Sequence, residues 1–204
     1  MRQNGWARFT TACRLTCFEP GSYLAFLGRL TAEKGPEAAI RIAHAAKMPL
    51  RIAAKVPRGE RSYFKEQLEP QIDGKQVQLT GEVNDETKQE FLAGAAALLF
   101  PIDWPEPFGL VMIEAMACGT PVIAFKSGSV PEVIDDCITG FVVSGEADAI
   151  RAVRRLGELD RQRVRRHFEK RFTARRMAEE YLRHYKTLVH TKGKPARDLA
   201  PTSV

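Results

Sequence analysis

Short apolar runs alternate along this chain with longer stretches whose apolar residues recur at helical spacing. The runs at residues 23–28, 49–54, 95–100, 122–125 and 140–143 are nearly continuous rather than alternating in polarity, and the shorter V-Q-L-T run at 77–80 joins them as a strand. A strand covered on both faces has that pattern, because neither side of its pleat meets water. Between the first two runs, residues 36–47 place Ala39, Ile40, Ala43 and Ala46 along one helical stripe. That stretch opens with Pro36, a residue suited to a first helical turn. Further helices are predicted at 61–68, at 86–93 with Asn84 or Asp85 as cap, at 108–117 and, briefly, from Pro131. Three more, at 146–156, 160–170 and 173–190, close the pattern. Strand and helix in alternation predict an α/β domain, Rossmann-like and three-layered, whose parallel sheet of about six strands is flanked by helices.

Residues 100–125 organise the rest. The run 95–100 ends in a loop holding Pro101, Pro105 and Pro107, and proline has no N–H to offer a sheet ladder. A short helix is read from Phe108 to Ala117, closed by Gly119, with the next strand following Pro121. The first N–H groups of a helix lack intrahelical partners and sit at the positive end of its dipole, so an anion is welcome there. Gly109 keeps a Cβ out of the approach. Glu106 precedes this helix and Glu114 lies inside it among Val111, Ile113, Ala115 and Met116. A carboxylate in such company is costly unless donors satisfy it. Two acceptors flanking an anion-binding helix start suit a sugar joined to a phosphate. The loops at 29–34 and 81–83 also follow strands, and ligands of parallel sheets collect at the carboxyl ends of strands.

Composition narrows the setting. The chain has 204 residues, 44% of them hydrophobic, enough for one substantial core. No apolar run reaches membrane-spanning length, and the start lacks a secretory h-region. Cys13, Cys17, Cys118 and Cys137 show no C-x-x-C pairing; Cys13-x-x-x-Cys17 fits either a metal pair or an unstructured leader. A reducing cytoplasm is expected, with allowance for peripheral attachment at the inner membrane. The net charge of +6 is concentrated at residues 151–176, where Glu158, Asp160 and Glu169 are interspersed among the arginines. That stretch is read first as a solvated face, then as a surface for anionic lipid, and last for nucleic acid, which is not an expected partner. Residues 1–22 read as a leader or inter-domain remnant, 23–190 as the folded domain, and 191–204 as a disordered tail.

The run E-P-F-G-L-V-M-I-E-A-M-A-C-G-T-P-V, from Glu106 to Val122, resembles the E-x7-E signature of retaining GT-B glycosyltransferases, family 4 or "group 1". Glu alone is common; the Pro-Phe-Gly and Ala-x-x-x-Gly-x-Pro-Val frame gives the signature its specificity. The loop G-R-L-T-A-E-K-G, Gly28 to Gly35, is similar to the family's G-R-x-x-x-x-K-G. The resemblance implies that Arg29 and Lys34 bind a donor diphosphate and stabilise charge on it as it leaves. It implies that Glu106 touches hydroxyls of the transferred sugar and Glu114 the ribose. Gly28 and the backbone of Phe108, Gly109 and Leu110 would serve the donor, with Val83 near the base. Gly128-Ser-Val-Pro-Glu132 and Thr139-Gly-Phe141 match further family patterns, with Glu132 structural.

The implied reaction is sugar transfer from a UDP- or GDP-sugar to an acceptor hydroxyl, with no cofactor and no metal held by an Asp-x-Asp motif. The resemblance covers about residues 23–190, the donor-binding C-terminal half of a GT-B enzyme. The acceptor-binding N-terminal half has no counterpart here and is expected on another chain or missing, so the isolated chain is not expected to be active alone. Ala53-Ala54-Lys55-Val56-Pro57 replaces a Gly-rich turn of many members. A non-catalytic nucleotide-sugar-binding module, a GT-B nucleotide-sugar epimerase and a basic surface-binding protein are the alternatives.

Overall fold

The computed structural model describes residues 21–191; the expectations for the leader, with Cys13 and Cys17, and for the tail from residue 192 lie outside the described residues. All six apolar runs form strands: β1 Tyr23–Leu27, β2 Leu50–Ala53, β3 Val77–Gly81, β4 Ala95–Phe100, β5 Val122–Phe125 and β6 Gly140–Val143. They make one sheet in the order β3-β2-β1-β4-β5-β6, every neighbouring pair parallel. Alternate side chains of each strand feed opposite faces. In β1, Leu24 and Phe26 enter one core, and Tyr23 and Ala25 the other.

The first core lies under α1 Pro36–Ala46, under α2 Arg61–Tyr63 with its π-helical continuation Phe64–Leu68, and under α6 Glu146–Arg154. The second lies under α3 Asp85–Ala93, α4 Leu110–Ala117, α5 Val130–Val133 and α7 Arg161–Arg171. The last described helix, α8 Ala174–Thr191, exposes Met177, Tyr181, Leu182, Tyr185, Leu188 and Val189. Asn84 caps α3: its side chain accepts from the Glu86 and Thr87 amides, and Thr87 answers with its hydroxyl at the Asn84 amide.

Boundaries differ from expectation where local chemistry decides them. The helix read from Phe108 starts at Leu110, because Gly109 stands in the left-handed region with φ 74° as its N-cap. The helix read to residue 156 ends at Arg154, and a 3₁₀ turn at Leu156–Glu158 follows. The basic stretch is not simply a solvated face. Arg161 donates to the carbonyls of Ala95 (2.6 Å) and Ala93 (2.8 Å) and to the Thr120 hydroxyl (2.8 Å). Arg165 donates to the Ala117 carbonyl, and Arg171 to that of Glu132 at 2.6 Å. Helix ends leave carbonyls without intrahelical partners, and these three arginines supply the donors that tie α7 to its neighbours.

The topology places the site. From β1 the chain winds outward to β3, then returns to the far side of β1 as β4. The chain therefore leaves β1 for α1 on one face and β4 for α4 on the other, and a crevice opens at the carboxyl ends of these strands.

Candidate functional site

The β1–α1 and β4–α4 loops meet over that crevice, and backbone contacts fix how they meet. The Asp103 amide donates to the Glu33 carbonyl at 2.9 Å. Gly35, at φ 70°, lies so close to Pro101 that a Cβ would stand 2.1 Å from the Pro101 carbonyl oxygen. Only glycine meets both the conformation and the clearance. This contact brings Lys34, next in line, to Glu106 on the other loop: Lys34 Nζ donates to Glu106 Oε2 at 2.5 Å. The two side chains are 18% and 15% exposed, so the pair is partly withdrawn from water.

Glu106 has further support. Trp104 Nε1 donates to the same Oε2 at 3.1 Å, and Lys34 Nζ lies 5.1 Å from the centre of the indole. Burial pushes the Glu106 carboxyl up, but Lys34, Trp104 and the Gly109 amide outweigh it and hold the pKa below its ordinary value. Behind the loop, Ser127 Oγ donates to the Trp104 carbonyl at 2.7 Å and the Ser129 amide to the Glu106 carbonyl at 2.9 Å. Gly128, at φ 50°, fits against this turn where a Cβ would come within 2.4 Å of the Glu106 carbonyl oxygen. The β5–α5 loop thus backs the main chain that carries Glu106.

A cleft of about 390 Å³ opens in front of the pair. It is lined by Gly28 and Lys34 from the first loop, Glu106, Phe108 and Gly109 from the second, and Leu110 and Val111 from the start of α4. Phe108 is braced from behind by Phe172, edge to face, with ring centres 6.4 Å apart. A cation, a fixed carboxylate and a helix start facing one apolar-walled cleft can hold a ligand that is anionic at one end and hydroxylated at the other. Among the described residues no group of three His, Cys, Asp or Glu side chains is arranged to hold a metal ion.

Residues 15–175 match the family model of the glycosyl transferases group 1. The chain belongs to this family. A curated relative, the D-inositol 3-phosphate glycosyltransferase of Mycobacterium tuberculosis (strain ATCC 25618 / H37Rv), is 36% identical over 159 residues, covering 69% of this chain and 31% of the relative. The structure of Anabaena Alr3699/HepE in complex with UDP superposes with a TM-score of 0.73 at 22% identity, covering 82% of this chain and 49% of that one. AviGT4, a glycosyltransferase involved in avilamycin A biosynthesis, gives a TM-score of 0.69 at 29% identity, with 85% and 53% covered. The chain thus spans about a third of the length of that curated relative and about half of those two structures.

The remaining expected residues, Arg29, Val83 and Glu114, stand apart from the Lys34–Glu106 centre. Arg29 is not in the cleft wall; its side chain is 66% exposed and pairs with Glu33 at 3.4 Å. Val83 packs against the core rather than lining the cleft, and its neighbour Glu82 pairs with Lys55 at 2.9 Å. Glu114 lies behind the wall, one turn beyond Leu110 and Val111. The donor its burial demands is Lys88 of α3, whose Nζ meets Glu114 Oε1 at 2.8 Å. Sequence reasoning missed Lys88 and Trp104. Neither carries a local signal: Lys88 reads as an ordinary helical lysine, and Trp104 as one more residue of a proline-bracketed loop.

Proposed function

We propose that this chain is the donor-binding half of a retaining, family 4-type GT-B glycosyltransferase that takes its sugar from a nucleoside diphosphate, UDP or GDP. The observation that carries this reading is the Lys34–Glu106 pair at the mouth of the crevice, beside the first amides of α4. Lys34 would neutralise the diphosphate and Glu106 accept hydrogen bonds from hydroxyls of the transferred sugar. The Leu110 amide would add a donor to phosphate oxygens, with Gly28, Phe108 and Gly109 shaping the floor. Glu114 would serve the ribose and the Val83 segment the base, while Arg29 would swing from Glu33 to reach the diphosphate. That HepE was solved with UDP supports this assignment of the cleft.

In the proposed reaction the bond from the anomeric carbon to the diphosphate oxygen breaks as the acceptor oxygen approaches the same face. The acceptor's proton passes to the leaving phosphate, whose new charge Lys34 and the helix start stabilise. Neither Glu106 nor Glu114 acts as a nucleophile in this scheme, and no metal is required. The acceptor site would lie in a second half, carried upstream or on another chain. The exposed apolar stripe of α8 favours a docked neighbour of this kind. It also keeps alive a second reading, a binding module that transfers nothing until its partner docks. Arg161, Arg165 and Arg171 are engaged with backbone carbonyls, which removes these three from any surface offered to anionic lipid.

Titration calorimetry of the full chain with UDP, GDP and UDP-glucose tests the reading. Saturable binding of a nucleotide, lost or weakened in Arg29→Ala and in Glu114→Ala, is expected. Absence of binding to every one of them would contradict it.

A further inference from the structure

Glu114 and Lys88 form a second lysine–carboxylate pair, about as withdrawn from water as the first. Their side chains are 13% and 17% exposed, and Asp85 adds a second carboxylate 3.3 Å from Lys88 Nζ. Burial pulls the Lys88 ammonium down, and the two carboxylates more than offset this, so its pKa stands above the ordinary value. An ionised carboxylate accepts hydrogen bonds and donates none. Lys88 holds Glu114 at Oε1, and the ammonium offsets the repulsion that a carboxylate there would exert on an anion in the cleft. Leu110 and Val111 of the cleft wall are the residues four and three positions before Glu114, so the three share one side of α4.

We propose that Lys88 is a positioning residue which fixes Glu114 as an acceptor for a vicinal diol, and so makes the site select ribonucleotides over their 2′-deoxy counterparts. This rests on the donor-half reading above. The chemistry is that of an acid holding a ribose 2′-hydroxyl, as at the switch point of other doubly wound sheets. Lys88 occupies one oxygen and its three donors anchor the side chain between α3 and α4; Oε2 is the atom assigned to the hydroxyls. Without the ammonium, a buried carboxylate would either take up a proton, becoming a donor, or turn out to water. Either outcome removes the charged acceptor, and with it most of the preference for a hydroxyl over a hydrogen.

The test compares UDP with 2′-deoxy-UDP, and GDP with 2′-deoxy-GDP, by calorimetry on the full chain. The wild type is expected to bind the ribonucleotide about tenfold more tightly or better, the equivalent of one lost hydrogen bond to a charged acceptor. Lys88→Met should shrink that ratio to below about threefold, and Lys88→Arg should restore it. Lys88→Gln, similar in reach and uncharged, serves if the Met variant does not fold. Glu114→Gln should also collapse the ratio, and adding Lys88→Met to it should change the ratio no further. A structural role alone would weaken both nucleotides equally and leave the ratio intact; that result overturns the proposal. A wild type that binds ribo- and deoxynucleotide equally overturns it too. Failure to bind either nucleotide pair removes the donor-half reading and this inference with it.

Discussion

Glu106 is the residue whose surroundings explain most of the cleft. It is reached by Lys34 from one loop and Trp104 from its own, and is backed by Gly128. Replacing Gly128 with alanine forces a Cβ to within 2.4 Å of the Glu106 carbonyl at a positive φ. Gly128→Ala should therefore cost about 1–3 kcal/mol. It should also shift Trp104 emission, read in a Trp6→Phe background; an unchanged melting temperature and spectrum would show that the loop does not lean on Gly128. The same surroundings set a pH dependence. Glu106 titrates below its ordinary 4.5 when folded, so the unfolded chain takes up its proton first on acidification. The stability this provides is present above pH ~4.5 and is lost as pH falls through the lower folded value. Melting curves of the wild type should lose this increment on acidification, and Glu106→Gln should lack that part of the pH dependence.

At the level of elements, α7 acts as a clamp. Arg161 links the C-terminal end of α3, the start of β4 and Thr120 before β5. Burial pulls its guanidinium pKa down, yet it stays charged, and its charge is met by carbonyl dipoles rather than an acid. Arg161→Met would leave two carbonyls and a hydroxyl without their donor, at about 1–3 kcal/mol for each group left buried and unsatisfied. The expected loss of melting temperature is at least several degrees; a change within about one degree would mean that water replaces the guanidinium. The elements themselves were legible in the sequence because continuous apolar runs bounded by Gly and Pro have one good solution. Ala95–Phe100, Val122–Phe125 and Gly140–Val143 were read with the bounds they have. The start of α4 was misread by two residues, since a left-handed Gly109 looks in sequence like any glycine near a helix. The inward turn of Arg161, Arg165 and Arg171 was hidden, because charge says nothing of direction until a helix's neighbours are known.

At the scale of the whole molecule, the described residues form one sheet with two faces covered, and the reversal of winding between β1 and β4 creates the crevice. The E-x7-E frame and the Gly28–Lys34 loop were readable as motifs, but that Lys34 and Glu106 touch is a product of topology, with 72 residues between them. Lys88 and Trp104 came into view only in three dimensions for the same reason. The folded core does not depend on α8, whose large apolar residues face outward. A chain ending at Thr173 should thus retain a single cooperative melt close to that of the full chain; loss of cooperativity would mean α8 packs on the domain in solution. In the proposed reading α8 would cover the second half of a transferase, whereas the diphosphate grip would lie in this half. The most direct measurement is a calorimetric comparison of UDP with UMP for the wild type and Lys34→Ala. If Lys34 holds the diphosphate, the wild type should prefer UDP by about tenfold or more, and Lys34→Ala should abolish most of that preference. Equal preference in the two proteins would contradict the account.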